Sequence, residues 1–181
     1  MSEDITILNL KEVISLTNKS SIYCSQTITI TEHRVLTNDL NEHKTVFGGR
    51  LLELLDGTAS ISAARTAHNS TVTAAINQFN FIAPVKLDDA LIIKSYVSGI
   101  GNSSIEVFAK IIGEHLNSGE RFLVATSFLT FVITNKEIKL PTLIPQSPEE
   151  ITVCNSYPQR RAEHKKEALT FKTITDSLSL D

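Results

Sequence analysis

The stretch from Gly48 to Ala67 constrains the fold more than any other part of the chain. It holds no proline, is rich in leucine and alanine, and repeats apolar residues at Leu51, Leu55, Ala59, Ala63 and Ala67, the spacing of one helix face. Between Leu51 and Ala67 only Glu53, Asp56 and Arg65 are charged. A helix that is apolar over most of its girth has to be covered on more than one side. The spacing therefore predicts one long helix with a sheet on one flank and a second subunit on the other.

The residues around this helix supply the sheet. Ser21 to Leu36 is rich in β-branched residues and alternates around Ile28 and Ile30, which predicts a first strand. A polar loop follows over Thr37 to Lys44. After the helix, strands are expected at Thr71 to Phe81, Leu91 to Ser98, Ser103 to Gly113 and Arg121 to Thr134. Ala83-Pro84 with Asp88-Asp89, then Gly99-Ile100-Gly101-Asn102, then Asn117-Ser118-Gly119 separate them, and links this short make antiparallel hairpins. The order is α+β: one antiparallel sheet with a helix laid across one face.

Beyond the last strand, Ser147-Pro148-Glu149-Glu150 carries a cap, a first-turn proline and two acids at the positive dipole end of a helix. A second helix is expected to restart after Pro158, bearing Arg160, Arg161, His164, Lys165 and Lys166 against Glu163 and Glu167. Taken alone, that cluster reads as a solvated helix face. The chain thus divides into an extension over 1–20, a domain over 21–140 and a helical tail over 141–181. In the extension, Ile5, Leu8, Leu10, Val13 and Ile14 suit a short helix or a packing arm.

Composition narrows the function. The 181 residues include 17 Lys+Arg and 20 Asp+Glu, a net charge of −3, so no global positive field exists to gather nucleic-acid phosphates. The oily run Phe122 to Ile133, broken by Thr126, Ser127 and Thr130, is too short for a membrane span. The first twenty residues lack the pattern of a secretory signal, and a cytoplasmic location is expected. Cys24 and Cys154 belong to no CxxC and read as reduced thiols, structural or at the surface, rather than as a disulfide or zinc framework. The five histidines show no metal spacing, and no GxSxG is present. Gly99 and Gly101 begin a GxG, but Ser104 takes the third glycine position, which rejects a dinucleotide fingerprint.

What remains is one acid and a glycine pair. At 100° per residue Asp56 falls between Leu52, Ala59, Ala63 and Ala67, the wrong place for a solvated carboxylate. Burial without a partner favours its neutral form and readies it to take up a proton; a structural acid bonded to loop amides is the plainer use. Gly48-Gly49 at the helix start leaves backbone N–H groups without internal partners, a place for a developing negative charge. Asn41 is a turn residue whose side chain could also position water or a carbonyl. Eight residues of helix separate Gly48 from Asp56, a rise of about 12 Å, and one reacting atom cannot touch both. If both serve one reaction, the Asp comes from a second subunit across a two-fold axis.

The run Leu36 to Leu52, with Asn41, Phe47-Gly48-Gly49-Arg50 and then Asp56, resembles the signature of hotdog-fold acyl-CoA thioesterases. So do Val72-Thr73-Ala74 running into Phe81-Ile82-Ala83-Pro84-Val85, Gly101-Asn102-Ser103-Ser104, and Gly119-Glu120-Arg121 leading to Phe128-Leu129-Thr130-Phe131-Val132. The resemblance implies a hotdog fold, a curved antiparallel sheet around the Gly48 to Ala67 helix, in dimers that often assemble into hexamers as trimers of dimers. It implies hydrolysis of fatty acyl-CoA to free acid and coenzyme A, with Asp56 as general base or nucleophile and Asn41 of the opposing subunit holding water or substrate. The N–H of Gly48 or Gly49 would polarise the carbonyl. Coenzyme A would lie near Gly101, Asn102, Ser103 and Ser104. Lys44 stands where a glycine is usual, Thr37 where a proline is, and Asn102 where an Arg or Lys is, so the phosphate contact would move to Arg50, Arg160 or Arg161. No metal or organic cofactor is required, since coenzyme A belongs to substrate and product. The rival is a non-catalytic acyl-CoA sensor, but twenty residues before the first strand are too few for a DNA-binding helix-turn-helix. A dehydratase would want a histidine beside the helix acid, and none lies in Leu51 to Ala67.

Overall fold

In the computed structural model, residues 20–135 and 137–179 are described, and the arm or short helix expected around Ile5 to Ile14 lies outside them. The elements run β1 (Ser21–Tyr23), β2 (Thr29–Arg34), α1 (Gly48–Ala67), β3 (Thr71–Phe81), β4 (Ala90–Ile100), β5 (Ser104–His115), β6 (Glu120–Ile133), β7 (Thr142–Ile144), α2 (Pro148–Asn155) and α3 (Tyr157–Thr175). Strands β2, β4, β5, β6 and β3 form, in that spatial order, one antiparallel sheet. The long helix and the four strands after it fall within a few residues of their expected bounds. Alternation of side chains sets one face of each strand toward the core, and the turns of the β4–β5 and β5–β6 hairpins hold that register. The hairpin expected between β3 and β4 does not form: the link between them buries Val85, whose carbonyl accepts from Val46 N, and β3 pairs instead with β6.

The sheet curves around α1. Leu51, Leu55, Ala59 and Ala63 are buried in one cluster with Ile93, Val107 and Leu129 of the sheet. Alanines on the helix let its backbone approach the strands closely. Between them the contact is polar and fully paired: Ser62 Oγ donates to Thr29 Oγ1 at 3.0 Å and lies 2.9 Å from Ser95 Oγ, and Thr58 Oγ1 lies 2.6 Å from Thr31 Oγ1. A second, smaller core on the outer face joins Cys24, Tyr96 and Phe108 with Phe128 and with Val153 and Cys154 of α2. That face is closed by the tail helices, the first of which starts as its sequence predicts, with Ser147 Oγ accepting from Glu150 N.

The first strand differs from the single run expected over Ser21 to Leu36. It breaks at a 3-10 turn over Cys24–Thr27. The Thr27 hydroxyl donates to Cys24 O and accepts from Val97 N, so a side chain takes the place of a ladder bond and the strand turns away. β1 then pairs in parallel with β7 in a separate two-stranded sheet. Two consequences position the site. β3 is an edge strand with register shifts after Thr73 and Asn77, devices that bend an edge. And α1 buries only one flank: Leu52 and Asp56 are half-buried, and Gly57, Ile61 and Ala64 are exposed.

Candidate active site

The start of α1 is built by the loop that precedes it. Asp39 is buried, its Oδ2 accepting from Leu36 N at 2.8 Å and lying 2.8 Å from His33 Nε2, while Oδ1 accepts from Arg50 Nε at 3.0 Å. Its backbone carbonyl also accepts from Phe47 N. One residue thus ties the loop carrying Asn41 to the first turn of the helix. Sequence reasoning passed over Asp39 as a turn residue, because its partners come from β2 and α1.

Arg50 spends its guanidinium on Asp39 and on Glu53, 2.8 Å away. Burial works to raise the Asp39 pKa, but the Leu36 N–H, His33 and Arg50 outweigh it and hold the carboxyl below the ordinary 3.8. A carboxylate whose folded pKa is depressed adds stability that is present above the unfolded value and lost as pH falls through the folded one. Urea unfolding series from neutral to acid pH are expected to show stability falling below about pH 4. Asp39→Asn should shrink that fall while lowering stability at neutral pH; an acid limb identical to wild type refutes the assignment.

The first N–H groups of α1, on Gly48 and Gly49, have no acceptor inside the helix, and among the described residues the N-cap, Phe47, offers them no side-chain bond. Both glycines also lie against aromatic rings, which would have to shift for a Cβ. A Cβ on Gly48 would stand 3.2 Å from the Phe81 ring, and one on Gly49 would collide with Phe47. Asn41 is engaged within its own loop, where Oδ1 accepts from His43 N and Thr45 N and Nδ2 donates to Thr45 Oγ1. Lys44 in this loop has φ +61°, the left-handed region that glycine enters freely and a lysine does not. This is the physical reason a glycine suits that position.

Asp56 is half-buried, as expected of a helix flank awaiting cover, but it is not unmatched. Thr73 Oγ1, on edge strand β3, donates to Asp56 Oδ1 at 2.9 Å. Thr73 was absent from the sequence-based site because it lies seventeen residues away, in a run that reads only as strand. Its hydroxyl fixes one carboxylate oxygen.

A second group gathers at the turn between β4 and β5, the end of the sheet at which Thr73 also lies, since Thr73 and Ile105 both pair with Phe131. A cleft of about 360 Å³ is lined by Gly99, Gly101, Asn102, Cys154, Tyr157 and Arg161, among others. Asn102 and Ser103 are exposed at its turn, closed by Gly101 N donating to Ser104 O at 2.8 Å. Arg161 Nη2 would stand 3.4 Å from a Cβ on Gly101, so this guanidinium lies against the turn. Arg160 does not join it. Expected at the surface, it is buried: Nε and Nη2 donate to Glu106 Oε2 and Oε1 at 3.2 and 2.7 Å, Nη2 also to Val153 O, and the guanidinium lies 4.0 Å over the Phe128 ring. The helical pitch that turns Arg161 toward the cleft turns Arg160 inward. Among the described residues no helix is long and apolar enough to cross a membrane.

Comparison with known proteins fits this geometry. The family model described as the thioesterase superfamily matches residues 43–119. The uncharacterized acyl-CoA thioester hydrolase YkhA of Bacillus subtilis is 40% identical over 88% of this chain and 94% of its own length. Mouse acyl-coenzyme A thioesterase 11 is 33% identical over 74% of this chain, which spans 24% of that longer protein. An acyl-CoA hydrolase crystal structure from Bacillus cereus superposes with a TM-score of 0.85 at 34% identity, covering 90% of this chain and all of the other. A hexameric acyl-CoA thioesterase does so at 0.78 and 32%, covering 82% and 97%. A Staphylococcus aureus acyl-CoA hydrolase complexed with butyryl coenzyme A, coenzyme A and coenzyme A disulfide does so at 0.81 and 30%, covering 86% and 97%.

Proposed function

The chain belongs to the thioesterase superfamily, and on that footing we propose that it hydrolyses fatty acyl-CoA to a free fatty acid and coenzyme A. One observation carries the reading: a helix that starts in uncapped glycine N–H groups presents, on its uncovered flank, a carboxylate held by a single hydroxyl. In the proposed step Asp56 takes a proton from water as the water oxygen bonds to the thioester carbon. The carbonyl oxygen gathers negative charge against the Gly48 or Gly49 N–H of the opposing subunit, where such donors contribute about 10²–10³ in rate. The C–S bond then breaks, and coenzyme A leaves as the thiol, taking up the proton. Asn41 holds the water or the carbonyl.

The rise of about 12 Å between Gly48 and Asp56 makes the site composite, so the working unit is a homodimer. The open edge of β3, with Val72, Ile76 and Phe81 exposed, is the surface for the second copy. A trimer of such dimers is the proposed assembly, in line with the hexameric neighbour.

The nucleotide end of coenzyme A belongs in the cleft at Gly101, Asn102, Ser103 and Ser104, with Arg161 as the phosphate contact. Arg50 and Arg160 are each committed to carboxylates within the fold and drop out of that role. Mixing the purified protein with acyl-CoAs of several lengths and a thiol-reactive dye tests the function: continuous release of coenzyme A is expected, and a single bound equivalent with no release refutes it. In the same assay Arg161→Ala should raise KM about 10- to 100-fold, the worth of one hydrogen bond to a charged group, with kcat little changed. An unaltered KM removes Arg161 from the site.

A further inference from the structure

Cys24 and Cys154, 130 residues apart in sequence, meet with their Sγ atoms 3.7 Å apart and both thiols free. Cys24 is fully enclosed, in the outer core with Tyr96 and Phe108, whereas Cys154 is half-buried and lines the cleft that holds Gly101, Asn102 and Arg161. The pair therefore has one sulfur reachable from a ligand cleft and one reachable only through the first. Neither is needed by the hydrolysis. A disulfide requires the sulfurs to close from 3.7 Å to about 2.05 Å.

We propose that Cys24 and Cys154 form a redox-responsive dithiol, converted to an intramolecular disulfide by coenzyme A disulfide entering through the cleft at Cys154. The cross-link stands on the sulfur geometry; the choice of oxidant and its consequence rest on the cleft being the coenzyme A site. The polarity of the pair supports the order of events. The hydrogen bond with Cys24 lowers the Cys154 pKa, and the Arg160 guanidinium pulls the same way against burial and Glu150. The Cys24 thiol is pushed up, first by that same bond and then by burial. Cys154 is accordingly the thiolate that attacks.

The Cys154 thiolate bonds to one sulfur of coenzyme A disulfide, the S–S bond of the reagent breaks, and one coenzyme A leaves as thiolate and takes up a proton. Cys24 loses its proton and bonds to the Cys154 sulfur, and the second coenzyme A leaves in the same way. The protein pair is oxidised by two electrons and the reagent is reduced to two thiols. Cys154 sits near the end of α2, from which α3 carries Tyr157 and Arg161 to the cleft, so drawing it toward Cys24 moves the phosphate contact.

The test treats the full chain with coenzyme A disulfide or glutathione disulfide and reads intact mass under non-reducing conditions. Wild type is expected to lose two hydrogens, with Cys24 and Cys154 in one cross-linked peptide, faster with coenzyme A disulfide than with glutathione disulfide. Cys24→Ser, or Cys24→Ala should the serine disturb folding, should trap one coenzyme A on Cys154, and Cys154→Ser should stay unmodified. The oxidised protein should show a KM for acyl-CoA about tenfold higher, the loss of one charge-assisted contact, restored by dithiothreitol. Both thiols remaining free in folded wild type overturns the dithiol, whatever the hydrolase activity. Equal rates with the two disulfides overturn delivery through a coenzyme A cleft and leave the cross-link standing. Modification of Cys24 in Cys154→Ser overturns the order of attack.

Discussion

Asp56→Asn is expected to leave fold and assembly in place while turnover of an acyl-CoA falls at least about a hundredfold, the lower bound for losing a positioned general base. The substitution keeps the shape of the side chain and keeps an oxygen able to accept from Thr73 Oγ1, now 2.9 Å from Asp56 Oδ1, so the contact with β3 survives. What disappears is the ability to take a proton. Because the carboxylate sits on a flank of α1 that its own chain does not bury, no folded-state network collapses with it. Far-ultraviolet dichroism and sedimentation mass should match wild type. Turnover within a few-fold of wild type, with the same assembly, removes Asp56 from the chemistry.

The second large effect is on stability. Arg160→Met leaves Glu106 enclosed, its side chain 3% exposed, with the guanidinium that paired both of its oxygens gone. Ser98 Oγ still donates to Glu106 Oε1 at 2.7 Å, but one hydroxyl does not offset a buried charge. Removing one partner of such a pair costs about 3–5 kcal/mol. Chemical denaturation is expected to show that loss, and the double variant Glu106→Leu with Arg160→Met should recover part of it, because the coupled charges depart together. A single variant as stable as wild type but with a raised KM would return Arg160 to the phosphates, as the family resemblance alone implied, and take away its structural role.

These two residues mark where sequence reading succeeds and where it stops. Asp56 was legible because a helix has a fixed period: a carboxylate at an apolar angular position stands out without any knowledge of what it faces. Arg160 and Arg161 are neighbours in the same basic run, and nothing local separates them. Only the seat of α3 against β5 and β6 decides that one is enclosed by Glu106 and Phe128 and the other borders the Gly101 turn. The first strand was misread for a related reason. Its alternation lies around Ile28 and Ile30, nothing local to Cys24–Thr27 stops the strand short of them, and the break comes from a threonine hydroxyl meeting Val97 N on a strand seventy residues later.

By itself, the sequence determined the class of the fold, the span of α1, the hairpins β4–β5 and β5–β6 and the capped start of α2, because helix period, strand alternation and turn chemistry are all settled within a few residues along the chain. Only the tertiary structure decided that Thr73 holds Asp56, that Asp39 clamps the start of the helix, that Arg160 is enclosed by Glu106 while Arg161 borders the Gly101 turn, and that Cys24 and Cys154 touch. Each of these depends on groups brought together across 11 to 130 residues of chain, where burial and pairing, rather than residue type, set what a polar side chain can do.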